Sequence, residues 1–452
     1  MRRILPKSLV ELANYTPKPL YVVGGSVRDF LAKLTPNAQD FDITAPLPAE
    51  TFAQIAQEHG FTIKSVYKNT GTVKLHDADK NDYEYTCFRS DTYVRGVHVP
   101  VEIHFTEDIR LDSRRRDFTC NAVYYDIQAD AFVDPLDGIA AIQEKRLTTV
   151  DAPKKVFGED GLRLMRLARQ AAQLGFEPDQ ATLDAATYHA ALIKDISPER
   201  IYTELLAILH ADEKCGVENG HYRGIQILDE TRVLDHILPE LALGRGMQQR
   251  KDFHNHDVLE HSFRALLYAD KRIRLAALLH DVGKPVCTLR DGNTYAHNEE
   301  GARIAKEILT RLKAPKKTIE QVTTLTLLHM YDLDCKMGEN KLRRFLVKYH
   351  GILEELLLLK QADFSACKDD LSVAPTVKKW RTLYRKMQDE NVPFSLKQLA
   401  VNGNDLLTAN VPPHQISTVL QKLLDHTAVN PNDNKKERLL RLAKGFEKSH
   451  VF

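Results

Sequence analysis

The segment LYVVGGSVRDFLAKLTPNAQDFDIT, Leu20 to Thr44, decides how the chain is read. An apolar run stops at two glycines, a helix-forming stretch follows, and two aspartates appear one residue apart on what reads as the next strand. Side chains alternate faces along a strand, so Asp40 and Asp42 are expected to point the same way. Two carboxylates held side by side repel unless a cation lies between them. Mg²⁺ is the natural choice, because it favours oxygen ligands and commonly holds substrate phosphates as well. Gly24 and Gly25 let the backbone approach a triphosphate, the following helix turns its amides toward it, and Arg28 falls one turn further on. These are the parts of a metal-assisted phosphoryl-transfer site.

Working outward, residues 1–150 mix strands and helices: LYVVGG, DFDIT, GTVKLHD, DYEYTCF and DAFVDPLDG read as strands, and GSVRDFLAKL and AETFAQIAQEHG as helices. From about residue 152 the apolar residues fall at helical spacing throughout, so the fold class is α+β, a mixed-sheet head followed by helices. The 452 residues suggest two to four domains, and 43% apolar content is ample for cores. We place the boundaries at 1–150, 151–245, 246–370 and 371–452. A formal net charge of +1 excludes a global basic field, so a nucleic-acid partner would meet local basic helices such as KKWRTLYRKMQ and KKERLLRLAK. The six cysteines are scattered without a CxxC pair, which argues against a zinc ribbon or disulfide framework and fits a reducing cytoplasm. No segment approaches the apolar length of a membrane span, and nothing in the sequence marks an obligate protein partner.

Two further stretches carry chemistry. SRRRDFTCNA, Ser113 to Ala122, places three arginines before an aspartate and a strand-like run. Arginine's fork suits phosphate oxygens. In EDGLRLMRLAR, Asp160, Arg163, Arg166 and Arg169 recur every third residue, which predicts one sector of a helix, either a salt-bridged solvent face or a reading surface. Cytosine and adenine both present an exocyclic amine beside a ring nitrogen with a free lone pair. An aspartate that accepts from the amine and an arginine that donates to the ring nitrogen would select C and A over U and G without a template.

Together these stretches resemble the nucleotidyltransferase superfamily that includes DNA polymerase beta, and more closely the class II tRNA nucleotidyltransferase and bacterial poly(A) polymerase family. The matching residues are Gly24, Gly25, Arg28, Asp29, Asp40 and Asp42, then RRRDFTCNA and Glu159, Asp160 and Arg163. The resemblance spans about residues 20 to 210. It implies a polymerase-beta-like catalytic head with an all-helical neck, and two-metal transfer of nucleotides from CTP and ATP to the 3′ end of tRNA. Catalysis would fall to Asp40 and Asp42. Nucleotide binding would fall to Gly25, Arg28, Arg115, Arg116, Asp117, Asp160, Arg163, Arg166 and Arg169, with Glu199 and Arg200 bracing the nucleotide helix. One departure is present. Many CCA-adding relatives carry a loop with a tyrosine, an acidic residue and an arginine pair. Here CFRSDTYVRGVHVPVEIHF keeps Arg89, Asp91 and Tyr93 but reads RGVHV further on. CC-only and A-only relatives exist, so those activities stay open beside full CCA addition. Poly(A) polymerase stays open too, although TIKSVYKNTGTVKL lacks the basic stretch those enzymes tend to carry. So does a non-catalytic tRNA-binding protein.

Beyond residue 250 histidines gather. NHDVLEHSF holds His256, Asp257 and His261, and AALLHDVGKP ends an apolar helix on His280 and Asp281. His297, His329 and Asp363 follow. Two ionisable groups at the end of a buried helix need a partner, and a metal supplies one. The arrangement resembles the HD phosphohydrolase superfamily, in which His261, His280, Asp281 and Asp363 would be the ligands. His297 and His329 stand where two-metal members have extra histidines. The resemblance implies a phosphatase or 2′,3′-cyclic phosphodiesterase, or else an inert helical platform for tRNA. The mixed donors suit Ni²⁺, Mn²⁺, Co²⁺ or Mg²⁺.

Overall fold

The computed structural model describes residues 1–34, 40–93 and 101–448, with the side chains of Asp40 and residues 446–448 outside that set. The chain divides into two compact units, Met1–Ala242 with Thr310–Ala314, and Leu243–Leu309 with Pro315–Phe452.

In the first unit β1 (Tyr21–Val23), β2 (Asp40–Ala45), β3 (Thr62–Tyr67), β4 (Thr72–His76) and β5 (Asp82–Cys87) form most of a seven-stranded sheet. The hairpin of β6 (Arg89–Thr92) and β7 (Glu102–Phe105) stands apart, while β8 (Tyr124–Asp126) and β9 (Ala131–Val133) complete the sheet in the order β3-β4-β5-β2-β1-β8-β9. Only β2 and β5 pair in parallel; the other neighbours are antiparallel. The sheet is therefore mixed, as expected. Its inward residues alternate with outward ones along β4 and β5, where Val73, Leu75, Tyr83 and Tyr85 are buried. Phe52 stacks on Tyr85 at 3.8 Å between ring centroids, and each such buried aromatic contributes about 1.5–3 kcal/mol. Two expectations need correction. The run after Asp117 is not a strand: Thr119–Asn121 is a turn of 3-10 helix, and the strand begins at Tyr124. The region after residue 152 is not wholly helical, because Glu177–Pro178 pairs in parallel with Arg146–Leu147.

The helix Leu162–Leu174 is the spine of the first unit's helical part. It is stopped by Gly175 in the left-handed region at φ 64° and packs against Pro198–Leu209 and Gly220–Glu230.

The second unit is helical. Val258–Leu267 packs along Leu353–Lys368, and the six residues Arg274–Leu279 are all buried, delivering His280 and Asp281 at the helix end. Further on, Trp380 is fully buried against Tyr331 and Phe345 and donates from Nε1 to Asp332 Oδ2 at 3.0 Å. No helix among the described residues is long and apolar enough to cross a membrane.

Candidate active sites

The glycine turn is built around an aspartate. Gly24, between β1 and the helix Gly25–Leu31, adopts φ +79°, and a Cβ there would lie 3.0 Å from Asp42 Oδ2. Asp42 sits mid-sheet, opposite Val23 on β1 and Glu84 on β5. Asp40 opens β2 two residues earlier; its side chain lies outside the described residues. Arg28 is buried, donating to Asp29 Oδ1 from Nη2 at 2.6 Å and to Asn121 Oδ1 from Nη1 at 2.7 Å.

Asp42, Gly24, Gly25 and Arg28 line a cavity of about 360 Å³ together with Arg115, Arg116, Asp117, Asp160, Arg163, Arg166 and Arg169. The residues expected from the sequence to carry catalysis and nucleotide binding, Asp40 aside, thus meet in one place. The sector reasoning needs one correction. Asp160 is not on the arginine helix but in extended backbone just before it, where its Oδ1 accepts the Leu162 N–H at 2.9 Å. Arg163, Arg166 and Arg169 do lie on that helix, and Gln170 and Gln173 continue its inward face. Arg163 is held by the carbonyls of Val156 and Arg115 at 2.8 and 2.7 Å and by Glu159 at 2.9 Å, with the Tyr93 ring 5.7 Å away.

Each guanidinium of the cavity is fixed by a carboxylate. Asp112, fully buried, takes Arg115 at 2.7 Å and Arg116 at 3.2 Å. Burial works to raise the Asp112 carboxyl, but the two arginines outweigh it and hold it at about 2. Arg166 pairs with Asp117 at 2.7 Å and keeps that buried carboxyl below its ordinary value despite burial. Arg169 meets Glu204 at 2.8 Å and Arg89 meets Asp91 at 3.0 Å. Glu204 corrects another expectation. Glu199 and Arg200 are exposed, and it is Glu204 that reaches the arginine helix, because it lies beside the buried face made by Ile201, Leu205 and Ile208. Sequence reasoning also missed Asp112, Asn121, Gln170, Gln173 and Lys214. A helical repeat at positions 163, 166, 170 and 173 could have flagged the glutamines; Lys214 has no motif around it. The RGVHV loop lies outside the described residues.

In the second unit the six residues singled out from the sequence converge. Asp281 is shared: its Oδ2 lies 3.3 Å from Nε2 of both His261 and His280, and its Oδ1 lies 3.3 and 3.5 Å from Nε2 of His297 and His329. Asp363 Oδ1 closes the first half at 3.1 Å from His261 and 3.5 Å from His280. The tautomers follow from the backbone. Nδ1 of His280, His297 and His329 faces the carbonyls of Ala277, Thr294 and Thr326 at 2.7, 2.7 and 2.6 Å, and a carbonyl can only accept. Each Nδ1 therefore donates, so in the neutral ring it is Nε2 that is free to bind a metal. His297 and His329 face each other through Nε2 at 3.3 Å, and His280 Nε2 is buried without a hydrogen-bond partner. That donor set fits a divalent cation in each half, with the outer nitrogens of His280, His297 and His329 braced as metal-ligating histidines usually are. Lys284 approaches Asp281 at 2.6 Å and Gln249 at 2.9 Å. His256 and Asp257 stay outside the cluster: His256 pairs with Asp369, and Asp257 caps the helix by accepting from the Glu260 N–H.

The crossing that brings His297 in is glycine on both sides. A Cβ at Gly283 would lie 2.2 Å from the His297 carbonyl oxygen and 2.5 Å from the Gly301 nitrogen, so the helices Gly283–Asp291 and His297–Arg311 touch backbone to backbone.

With this geometry in view, the similarities are specific. The poly(A) polymerase head domain matches residues 20–148, a probable RNA- and SrmB-binding site of polymerase A matches residues 175–243, and an HD domain matches residues 258–364. An A-adding tRNA nucleotidyltransferase of Deinococcus radiodurans is 31% identical over 369 residues, 78% of this chain and 77% of the relative. A CC-adding tRNA nucleotidyltransferase of Thermus thermophilus is 30% identical over 77% of this chain and 76% of its own length. A CCA-adding enzyme of Levilactobacillus brevis is 29% identical over 95% and 94%. The crystal structure of Bacillus stearothermophilus CCA-adding enzyme in complex with CTP shares the fold, with TM-score 0.69 at 23% identity over 98% of both chains. The chain belongs to the tRNA nucleotidyltransferase family, built on the poly(A) polymerase head and carrying an HD domain.

Proposed function

We propose that this enzyme adds C and A to the 3′ end of tRNA, without a template, from CTP and ATP. The observation that carries this reading is that one cavity is lined by the strand aspartate Asp42, the arginine cluster and the Asp160–Arg163 pair. Asp40 and Asp42 would hold Mg²⁺, which supplies activation of the acceptor hydroxyl and stabilisation of the pyrophosphate leaving group. The glycine turn, Arg28, Arg115 and Arg116 hold the triphosphate, while Asp117 and Arg166 hold the sugar and its neighbouring phosphate. Asp160 accepts from the exocyclic amine of C or A, and Arg163, immobilised by its three anchors, donates to the ring nitrogen. Uracil and guanine offer the reverse pattern and leave both groups unmatched.

The tRNA acceptor end is read by shape and backbone charge. In support, Lys378, Arg381 and Arg385 of the helix Pro375–Asp389 are exposed while Trp380 anchors its other face. A four-part division at residues 150, 245 and 370 accompanies this reading, as does a cytoplasmic site of action. Six free cysteines are consistent with the latter.

A second reading concerns the histidine cluster. We infer a phosphohydrolase acting on phosphate esters, with Ni²⁺, Mn²⁺, Co²⁺ or Mg²⁺ held by His261, His280, Asp281 and Asp363, and by His297 and His329 in the second half. Asp281, with one oxygen toward each histidine pair, would hold both ions at once.

The test supplies tRNAs ending before C74, before A76 and complete, with each nucleotide in turn, and sequences the products. Expected are CCA from CTP and ATP together, and a single A on tRNA ending in CC. Products ending at CC, or A addition only, would give the enzyme the narrower activity of its Thermus or Deinococcus relative. A long tail from ATP alone would make it a poly(A) polymerase.

A further inference from the structure

Between the glycine turn and the arginine helix lies a closed ring of three buried side chains. Gln170, Asn121 and Asp117 are 3%, 7% and 3% exposed. Arg28 Nη1 donates to Asn121 Oδ1 at 2.7 Å, and a guanidinium can only donate, so the NH₂ of Asn121 must face the other way. Its two hydrogens reach Asp117 Oδ1 at 2.9 Å and Gln170 Oε1 at 3.0 Å. With its oxygen so used, Gln170 turns its own NH₂ to Asp117 Oδ2, at 3.2 Å. Arg166 approaches that same oxygen at 2.7 Å. Both amide orientations therefore follow from one arginine at the far end of the chain of bonds. Packing alone does not require an amide at position 170, since a leucine would fill a similar volume. An amide earns its place there only through these bonds, and each would leave a buried group unpaired if lost.

We propose that Gln170 is a positioning residue for the incoming nucleotide. It fixes the direction of the Asp117 carboxylate and, through Asn121, ties Arg28 at the glycine turn to Arg166 on the arginine helix. The glycine-turn end of the cavity and the Asp117–Arg166 pair that would hold the sugar are thereby set by one hydrogen-bonded ring. This inference rests on the reading of the cavity as the nucleotide site.

The test compares Gln170→Leu, which removes both bonds, with Gln170→Glu, which keeps the shape and the acceptor but donates to Asp117 only when protonated. Thermal unfolding and steady-state CTP and ATP kinetics are measured on the full chain from pH 5 to 8. Gln170→Leu is expected to raise the nucleotide KM about tenfold while kcat falls less and the unfolding midpoint stays within a few degrees. Gln170→Glu is expected to lose kcat/KM relative to wild type as pH rises, because an ionised glutamate faces Asp117 as a like charge. Unchanged nucleotide KM in both variants would overturn the proposal. So would losses that follow the unfolding midpoint and show no pH dependence relative to wild type. Asp42→Ala, run alongside, separates the two readings. If addition survives it, the cavity is not the nucleotide site. If addition is lost while Gln170→Leu behaves as wild type, only the role of Gln170 falls.

Discussion

In the first unit, seven arginines line an open cavity and each is tied to a carboxylate. In the second, four histidines and two aspartates are drawn together with Lys284 as the cation against them. On the proposed function, the contrast is one of charge prepared for opposite guests. A cavity for a polyanion keeps its guanidiniums aimed and partly neutralised until phosphate oxygens arrive to compete with the fixed carboxylates. A cluster for cations does the reverse, turning ring nitrogens and carboxylates inward while three of its four histidines anchor their outer nitrogens on backbone carbonyls.

The comparison breaks most sharply if the two sites are not independent. Asp42→Ala should reduce nucleotide addition at least a thousandfold and leave the metal bound by the histidine cluster and phosphate-ester hydrolysis intact. His280→Ala should abolish hydrolysis and lower bound metal, measured by elemental analysis, while addition persists. Loss of both activities from either change in a folded protein would sink the idea of separate chemistry.

A smaller effect probes how the arginines are held. Asp112 has an ordinary carboxyl in the unfolded chain and one held at about 2 in the fold, so its contribution is complete above about pH 5 and fades as pH falls toward 2. Asp112→Asn should cost about 2–3 kcal/mol at neutral pH, read by denaturant unfolding, and the gap to wild type should narrow across that acid window. A gap that does not change with pH would mean that the pairs with Arg115 and Arg116 are not its origin.

The smallest effect concerns Lys214, an exposed cavity-lining cation at the end of the short helix Ala211–Cys215. Lys214→Ala should weaken nucleotide or tRNA binding a few-fold. If the contact is to an RNA phosphate, the salt dependence of tRNA binding should drop by about one charge. No change in either KM would leave the paired arginines to do all the anion binding.

Much of this was legible in the sequence, because chemistry that needs particular residues at short spacing leaves a local trace. Glycine, arginine and D-x-D on adjoining elements located the cavity, and His280-Asp281 at the end of an apolar run located the cluster. What escaped reading is the choice of partner, which the fold makes and the motif does not print. Asp112 matters because Arg115 and Arg116 fold back one turn onto it, and nothing in SRRRDF says which carboxylate they choose. Glu204 displaced Glu199 because helix phase, set by the burial of Ile201 and Leu205, decides which acid faces Arg169. Asp160 left the helix because its carboxylate caps the first turn rather than riding on it.

The backbone contact at Gly283 has a consequence for how the cluster can change over time. The smallest possible side chain there, a single methyl, would collide with the carbonyl of His297 and push its helix outward. His261, His280 and Asp363 would keep their places while His297 drifted from the shared aspartate. A lineage could thus pass from a two-ion to a one-ion centre by a substitution that alters no ligand, and an inventory of ligands alone would not register the loss.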